Sequence, residues 1–321
     1  MILPDLVHPP SRFNRDCERT GDREIFNNLM FESPLSKFSL FLSLFLSLLI
    51  LIVILSASLL SDPAKVVFCD VGQGDAAYIR IKNHTDILVD AGPERKILDC
   101  LGKYMPFYDR TIELAIVSHP QKDHFGGLVY ILDRYDTKKI WMSEIYNSSK
   151  TFATLLDKIA TKDILLEYPK AGETADLSRA KIEFLWPSND FLLANSVIDP
   201  ATHSQLRRSG KDPNDFSLIF TFSTDGNIFL FTGDASASIL NKLSNQSKIK
   251  SDILKIPHHG SKYALAVEFL ELADPRYGVI SVGSKNSYGH PAPEVLKSLE
   301  ERKIIIRRTD KEGDIIFNFP N

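Results

Sequence analysis

Two histidines and a carboxylate fall within six residues in Ser118-His119-Pro120-Gln121-Lys122-Asp123-His124-Phe125-Gly126-Gly127. Imidazole and carboxylate donors this close, beside glycines that let the backbone fold tightly, form a cradle for a divalent metal ion. Three further segments carry the same chemistry. Phe231-Thr232-Gly233-Asp234 offers a carboxylate whose two oxygens can each bind an ion. Ile256-Pro257-His258-His259-Gly260-Ser261 and Tyr288-Gly289-His290-Pro291 add three imidazoles. Adjacent His258 and His259 point in different directions, so at most one faces the metal and the other is structural or solvated. The spacing leaves open which.

Other carboxylates sit where they could hold a ligand histidine by its second ring nitrogen. Asp70 and Asp75 bracket a glycine turn, and Asp90 precedes Ala91-Gly92. On spacing alone each is equally a turn aspartate. Asn214-Asp215 supplies oxygen donors ahead of an apolar run. Arg207, Arg208 and Lys211 just upstream read as a solvated charged face.

These segments follow short β-branched and aromatic runs. Such runs occupy 65–70, 76–81, 86–90, 113–117, 181–186, 216–222, 227–232, 252–256, 277–282, 303–307 and 314–319. Helical periodicity fits 94–103, 125–135, 150–160, 235–246, 263–272 and 292–302, the last opened by Pro291-Ala292-Pro293. Strands and helices alternate throughout, so an α/β domain is expected over 63–321. Its halves look alike in plan, divided by a polar insertion at 187–215 without a clear period.

The N-terminal part differs. Residues 1–37 are polar and read as a disordered tail. From Phe38 to Leu60 there is no charge, and the length suits a transmembrane helix. Arg19, Arg23 and Lys37 against Lys65 favour a cytoplasmic tail and an extracytoplasmic main domain. Composition is ordinary for a globular protein, with 44% hydrophobic and 25% charged residues. A net charge of -3 excludes a generally basic nucleic-acid binder, so any grip on phosphate must be local. Cys17, Cys69 and Cys100 are too few for a disulfide framework and are expected to be inert thiols.

The order VVFCDVGQGDAAYI, ILVDAG, IVSHPQKDHFGGL, NDFSLIFTF, LFTGDA, DILKIPHHGSKY, VISVGSKNSYGHPAPEVL and RRTDKEGDI resembles the metallo-β-lactamase superfamily. More narrowly, it is similar to the hydrolase domain of ComEC-family competence proteins. The resemblance implies a four-layer αββα sandwich binding one or two divalent ions, zinc or manganese. It implies His119, Asp123, His124, Asp234 and His290 as metal ligands. Asp123, His258 and His259 become catalytic candidates, with Asp70, Asp75, Asp90, Gln121 and Asn214 supporting them. Gln121 replaces the second histidine of the superfamily's usual His-x-His-x-Asp-His loop, which weakens the subsite containing His119. ComEC proteins also carry several membrane helices, where one apolar span is seen here.

The expected function is that of a membrane-anchored, metal-dependent phosphodiesterase or nuclease linked to DNA uptake. Nucleic acid is the expected substrate, and separate channel proteins are expected partners. The alternatives are a hydrolase of a small ester, lactone or nucleotide, and a catalytically weak binding module for uptake proteins.

Overall fold

The computed structural model describes residues 34–60, 64–81, 85–177, 179–198, 206–244 and 249–319. The chain divides into two compact units, Met1–Asp62 and Pro63–Asn321. In the first, helix α1 (Pro34–Leu60) begins four residues before Phe38. The rest of the expected disordered tail, 1–33, lies outside the described residues. At about 1.5 Å per residue, α1 is longer than the roughly 30 Å hydrocarbon layer of a bilayer. Mean hydropathy over Lys37–Leu55 is 3.0, and none of that stretch is buried.

The second unit contains two seven-stranded sheets. The first is built from β1 (Ala64–Phe68), β2 (Ala76–Ile81), β3 (Thr85–Ala91), β4 (Leu114–Val117), β5 (Lys139–Met142) and β6 (Leu165–Glu167). The second is built from β7 (Thr174–Leu177), β8 (Ala180–Trp186), β9 (Ile219–Thr224), β10 (Asn227–Phe231), β11 (Ile253–Lys255), β12 (Tyr277–Ile280) and β13 (Ile305–Arg308). The last strand, β14 (Ile315–Phe319), returns to the first sheet beside β1. Each sheet is antiparallel at one side and parallel at the other. β3, β4, β5 and β6 run parallel, as do β10, β11, β12 and β13.

Alternation along the strands explains the layers. In β1, Val66 and Phe68 enter the core between the sheets, where they meet Phe184, Phe220, Phe229 and Phe231. Val67 points to the opposite face with Tyr78, Leu88 and Val117. That face is covered by α2 (Ile97–Tyr104) and α3 (Lys150–Thr161) through Leu101, Phe152 and Leu155. The outer face of the second sheet is covered by α4 (Ala237–Leu243), α5 (Val267–Ala273) and α6 (Pro293–Glu301) through Ile239, Phe269 and Leu299. Three apolar interiors therefore separate four layers, giving the expected αββα sandwich.

Strands β5, β6 and β7 do not stand out in the sequence. They are three or four residues long, and charges at Lys138, Lys139, Glu167 and Asp176 interrupt their apolar pattern. The expected helix over 125–135 is broken at Gly126-Gly127 into the turns Lys122–Phe125 and Leu128–Ile131. The polar insertion has its own order. Ser188 caps a helix over Asn189–Asn195, and Val197–Ile198 pairs with Arg207–Arg208. Arg207 leaves the expected solvated face. It is buried against Glu144, 3.3 Å away, and donates to the Ser196 hydroxyl.

The cysteine expectation is corrected. Cys69, just after β1, forms a disulfide with Cys100 in α2. Two scattered cysteines gave no pairing signal, because only the sheet topology brings them together. Closing a loop of 31 residues is worth about 3–4 kcal/mol in the chain-entropy model. The denatured, unreduced chain should therefore show one reactive thiol out of three. Replacing both residues by alanine should lower the melting temperature by on the order of 10 °C. Three reactive thiols, with an unchanged transition in the double variant, would contradict the bridge.

Candidate metal centre

In parallel strands, the loops at the carboxyl ends share one edge of the sheet. Asp90 ends β3, and the His119–His124 loop follows β4. Asp234 follows β10, His258 and His259 follow β11, and His290 lies on the loop after β12. Two glycines press the loops together. Gly127 packs so closely that a Cβ would collide with the Ala91 carbonyl, and Gly74 would likewise meet the Asp123 carbonyl.

The structure brings Asp123, His124, Asp234 and His259 together, with one donor atom from each within 4.8 Å of the others. His124 Nε2 stands 3.3 Å from Asp234 Oδ2. His259 Nε2 lies 3.6 Å from the same oxygen and 3.5 Å from Asp123 Oδ2. The His119 ring lies beside that of His124, with centroids 4.1 Å apart. The Nε2 atoms of His119, His124 and His259, and Asp234 Oδ1, are buried without a hydrogen-bond partner among the described residues. Buried polar atoms left this way are costly. Two imidazoles and two carboxylates facing one another are a donor set that fits a divalent ion such as zinc or manganese.

His258 and His259 part company because both adopt left-handed backbone, with φ of 48° and 53°. His259 turns inward, 2% exposed, with Nδ1 2.9 Å from the Ser281 carbonyl. His258 stays at the mouth, its Nε2 3.9 Å from Asp234 Oδ2. His290 also sits at the rim, its ring 6.0 Å from that of His258. The inward imidazole that completes the buried group is therefore His259, where the resemblance pointed to His290.

Of the supporting residues, Asp90 accepts from the Ser118 backbone and hydroxyl and lies 2.9 Å from His124 Nδ1. Asp75 lies 3.2 Å from His259 Nδ1. Asp70 does not reach the ligands; it caps its own turn through the Gly72 amide. Gln121 donates to Asn214 Oδ1 at 2.8 Å, so these two amides satisfy each other beside His119. Sequence reasoning missed Lys255. It is buried, with Nζ 2.6 Å from Asp75 Oδ2 and donating to the Ile256 carbonyl. A lysine closing the apolar run Ile253-Leu254 was the available signal. Ser217 was missed as well; its hydroxyl accepts from the Asp234 amide.

Charge is strongly correlated across the group. Burial alone would lower the His259 pKa, but Asp234 and Asp75 overcome it and push it up to about 10. His124 is likewise raised well above its usual range by Asp234 and Asp90, against burial. Burial would raise Asp234, yet His259 and His124 hold it well below the usual carboxylate range. His119, buried and next to His124, falls to about 3 and is neutral.

Residues 69–284 match the metallo-beta-lactamase superfamily. The chain belongs to that superfamily. It is 26% identical over 283 residues to ComE operon protein 3 of Bacillus subtilis (strain 168), covering 82% of this chain and 34% of that protein. It is 26% identical over 265 residues to Recombination protein 2 of Haemophilus influenzae, covering 81% and 29%. The chain thus spans about a third of the length of these curated relatives, in keeping with the ComEC-like resemblance. Among solved structures, CmlA, a diiron beta-hydroxylase from Streptomyces venezuelae, superposes with a TM-score of 0.51 at 12% identity. That likeness covers 80% of this chain and 54% of CmlA, and it speaks to the fold alone. Membership of the superfamily and the buried donor group support a metal-dependent hydrolase.

Because His124 and His259 hold protons in the metal-free group, a divalent ion must displace them. Metal affinity should therefore rise with pH between 6 and 9, by up to about tenfold per unit for each proton released. Calorimetric titration in buffers of different ionisation enthalpy measures the release directly. A pH-independent affinity with no proton release would contradict the assignment.

Proposed function

We propose that this chain is a membrane-anchored phosphodiesterase acting on nucleic acid, with its hydrolase domain outside the cytoplasm and its work tied to DNA uptake. The convergence of Asp123, His124, Asp234 and His259 at one buried point carries the reading. The names of the relatives favour the biological setting, and "Competence protein ComA" of Neisseria gonorrhoeae is another at 25% identity. α1 suits an anchor, because a helix apolar on every side has no reason to stay in water. The Cys69–Cys100 bridge favours an oxidising compartment, which agrees with the charge asymmetry around the span.

His124, His259, Asp123 and Asp234 would hold one ion well. The Gln121–Asn214 pair leaves a second subsite with His119 and Asp234 as its remaining donors, so one equivalent of tightly bound metal per chain is expected. When bound, the ion supplies Lewis-acid activation of water and of phosphate oxygens. Asp75 and Asp90 keep the two ligand imidazoles oriented. His258, at the mouth, gives a proton to the leaving oxygen as the phosphorus–oxygen bond breaks.

The test uses the full-length protein in detergent, stripped with chelator and reloaded with zinc, manganese or magnesium in turn. Single- and double-stranded DNA, RNA, small phosphodiesters and a lactone are offered as substrates. Nucleic-acid cleavage should require metal and fall roughly a hundredfold in Asp234→Asn. Cleavage of the lactone alone would overturn the reading. Metal-independent DNA binding without turnover would instead make the chain a binding module.

A further inference from the structure

The two histidine loops at the rim carry the same pair of exposed side chains. Beyond His259 come Lys262 and Tyr263, and before His290 come Lys285 and Tyr288; all four are exposed. Tyr263 is 74% and Tyr288 70% exposed. Among the described residues of the second unit, the other aromatic rings more than half exposed are Phe107 and Tyr108, which pack on each other.

Tyr288 is held in place. Its ring lies nearly parallel to that of His290, 14° and 5.9 Å away. His290 neighbours His258, whose Nε2 is 3.9 Å from Asp234. A ladder of rings therefore runs from the donor group to solvent and ends in an open tyrosine face. Asn286 fixes the loop beneath it. Its side chain donates to the Gly283 and His290 carbonyls and accepts from the His290 amide. The two loops are joined where the Ala292 amide donates to the Gly260 carbonyl. Lys262 places its ammonium 4.8 Å from the Tyr263 ring centroid. Preset aromatic faces interleaved with cations are how proteins grip unpaired nucleic acid, since every base offers a π-face and every linkage a negative charge.

We propose that Tyr288, backed by His290, is the stacking seat for an unpaired nucleobase next to the phosphodiester at the donor group, with Lys262, Tyr263 and Lys285 carried on the same two joined loops. The inference rests on the nucleic-acid reading above and deepens it. A base still paired in a duplex keeps its face covered by its neighbours, so the seat selects single-stranded or frayed substrate.

The experiment measures binding, not cleavage. Metal-loaded full-length protein in detergent is titrated with a single-stranded phosphorothioate oligodeoxynucleotide whose linkages resist hydrolysis. The same backbone with abasic positions, and a fully paired duplex, are the comparators. The unmodified protein should prefer the base-bearing strand over both by about tenfold or more. It should also quench 2-aminopurine placed in that strand. Tyr288→Ala should abolish the preference and the quenching while leaving affinity for the abasic strand and bound metal unchanged. Tyr288→Phe should keep both, since the ring and not the hydroxyl does the stacking. Equal losses on base-bearing and abasic strands in Tyr288→Ala, or no loss on either, would overturn the proposal. A protein that shows the preference yet cleaves no nucleic acid would remove the phosphodiesterase reading and leave the seat standing.

Discussion

Asp75, Asp90 and Asp234 are buried together at the edge of two sheets, with Asp123 beside them, and the rest of the domain is arranged around making that tolerable. Each ionised carboxylate taken out of water costs several kcal/mol unless opposite charge or hydrogen bonds replace the lost solvent. Lys255 answers Asp75, Ser118 answers Asp90, and His124 and His259 stand between the carboxylates. Without metal, the Nε2 atoms of His124 and His259 face Asp234 and Asp123 at 3.3–3.6 Å and are held protonated there. A divalent cation takes the place of those protons, and that exchange connects the fold to its chemistry.

The two-sheet plan is what lets such a cluster form. Each half supplies parallel strands whose carboxyl ends open on the same edge. The first half contributes Asp90, Asp123 and His124, and the second Asp234 and His259. The phenylalanine-rich interior around Phe68, Phe220, Phe229 and Phe231 fixes the sheets face to face. The ligands therefore sit on short segments that follow directly from strand ends. The left-handed turn at His258-His259 divides labour between neighbours, with one imidazole buried and one at the mouth.

Much of this was legible in the sequence. The longer strands announced themselves by β-branched runs, and the metal loop by two histidines and a carboxylate beside two glycines. What stayed hidden depended on contacts between distant segments. The sequence could not choose between His258 and His259, because the choice lies in two backbone angles. Lys255 lies inside the run 252–256, and its part in the site follows only from Asp75 standing opposite it. The Cys69–Cys100 bridge and the burial of Arg207 likewise follow from topology. The pairing of Gln121 with Asn214, 93 residues apart, explains how a loop lacking one histidine remains satisfied.

The central claim is that His124 and His259, with two carboxylates, converge on a single ion. X-ray absorption at the metal edge of zinc- or manganese-loaded protein tests it most directly. The account predicts a shell of nitrogen and oxygen scatterers at roughly 2.0–2.2 Å, with the outer-shell signature of two imidazoles. That signature should fall to one imidazole in His259→Ala and stay at two in His290→Ala. Loss of imidazole scattering in His290→Ala, with none in His259→Ala, would contradict the account and move the metal to the rim.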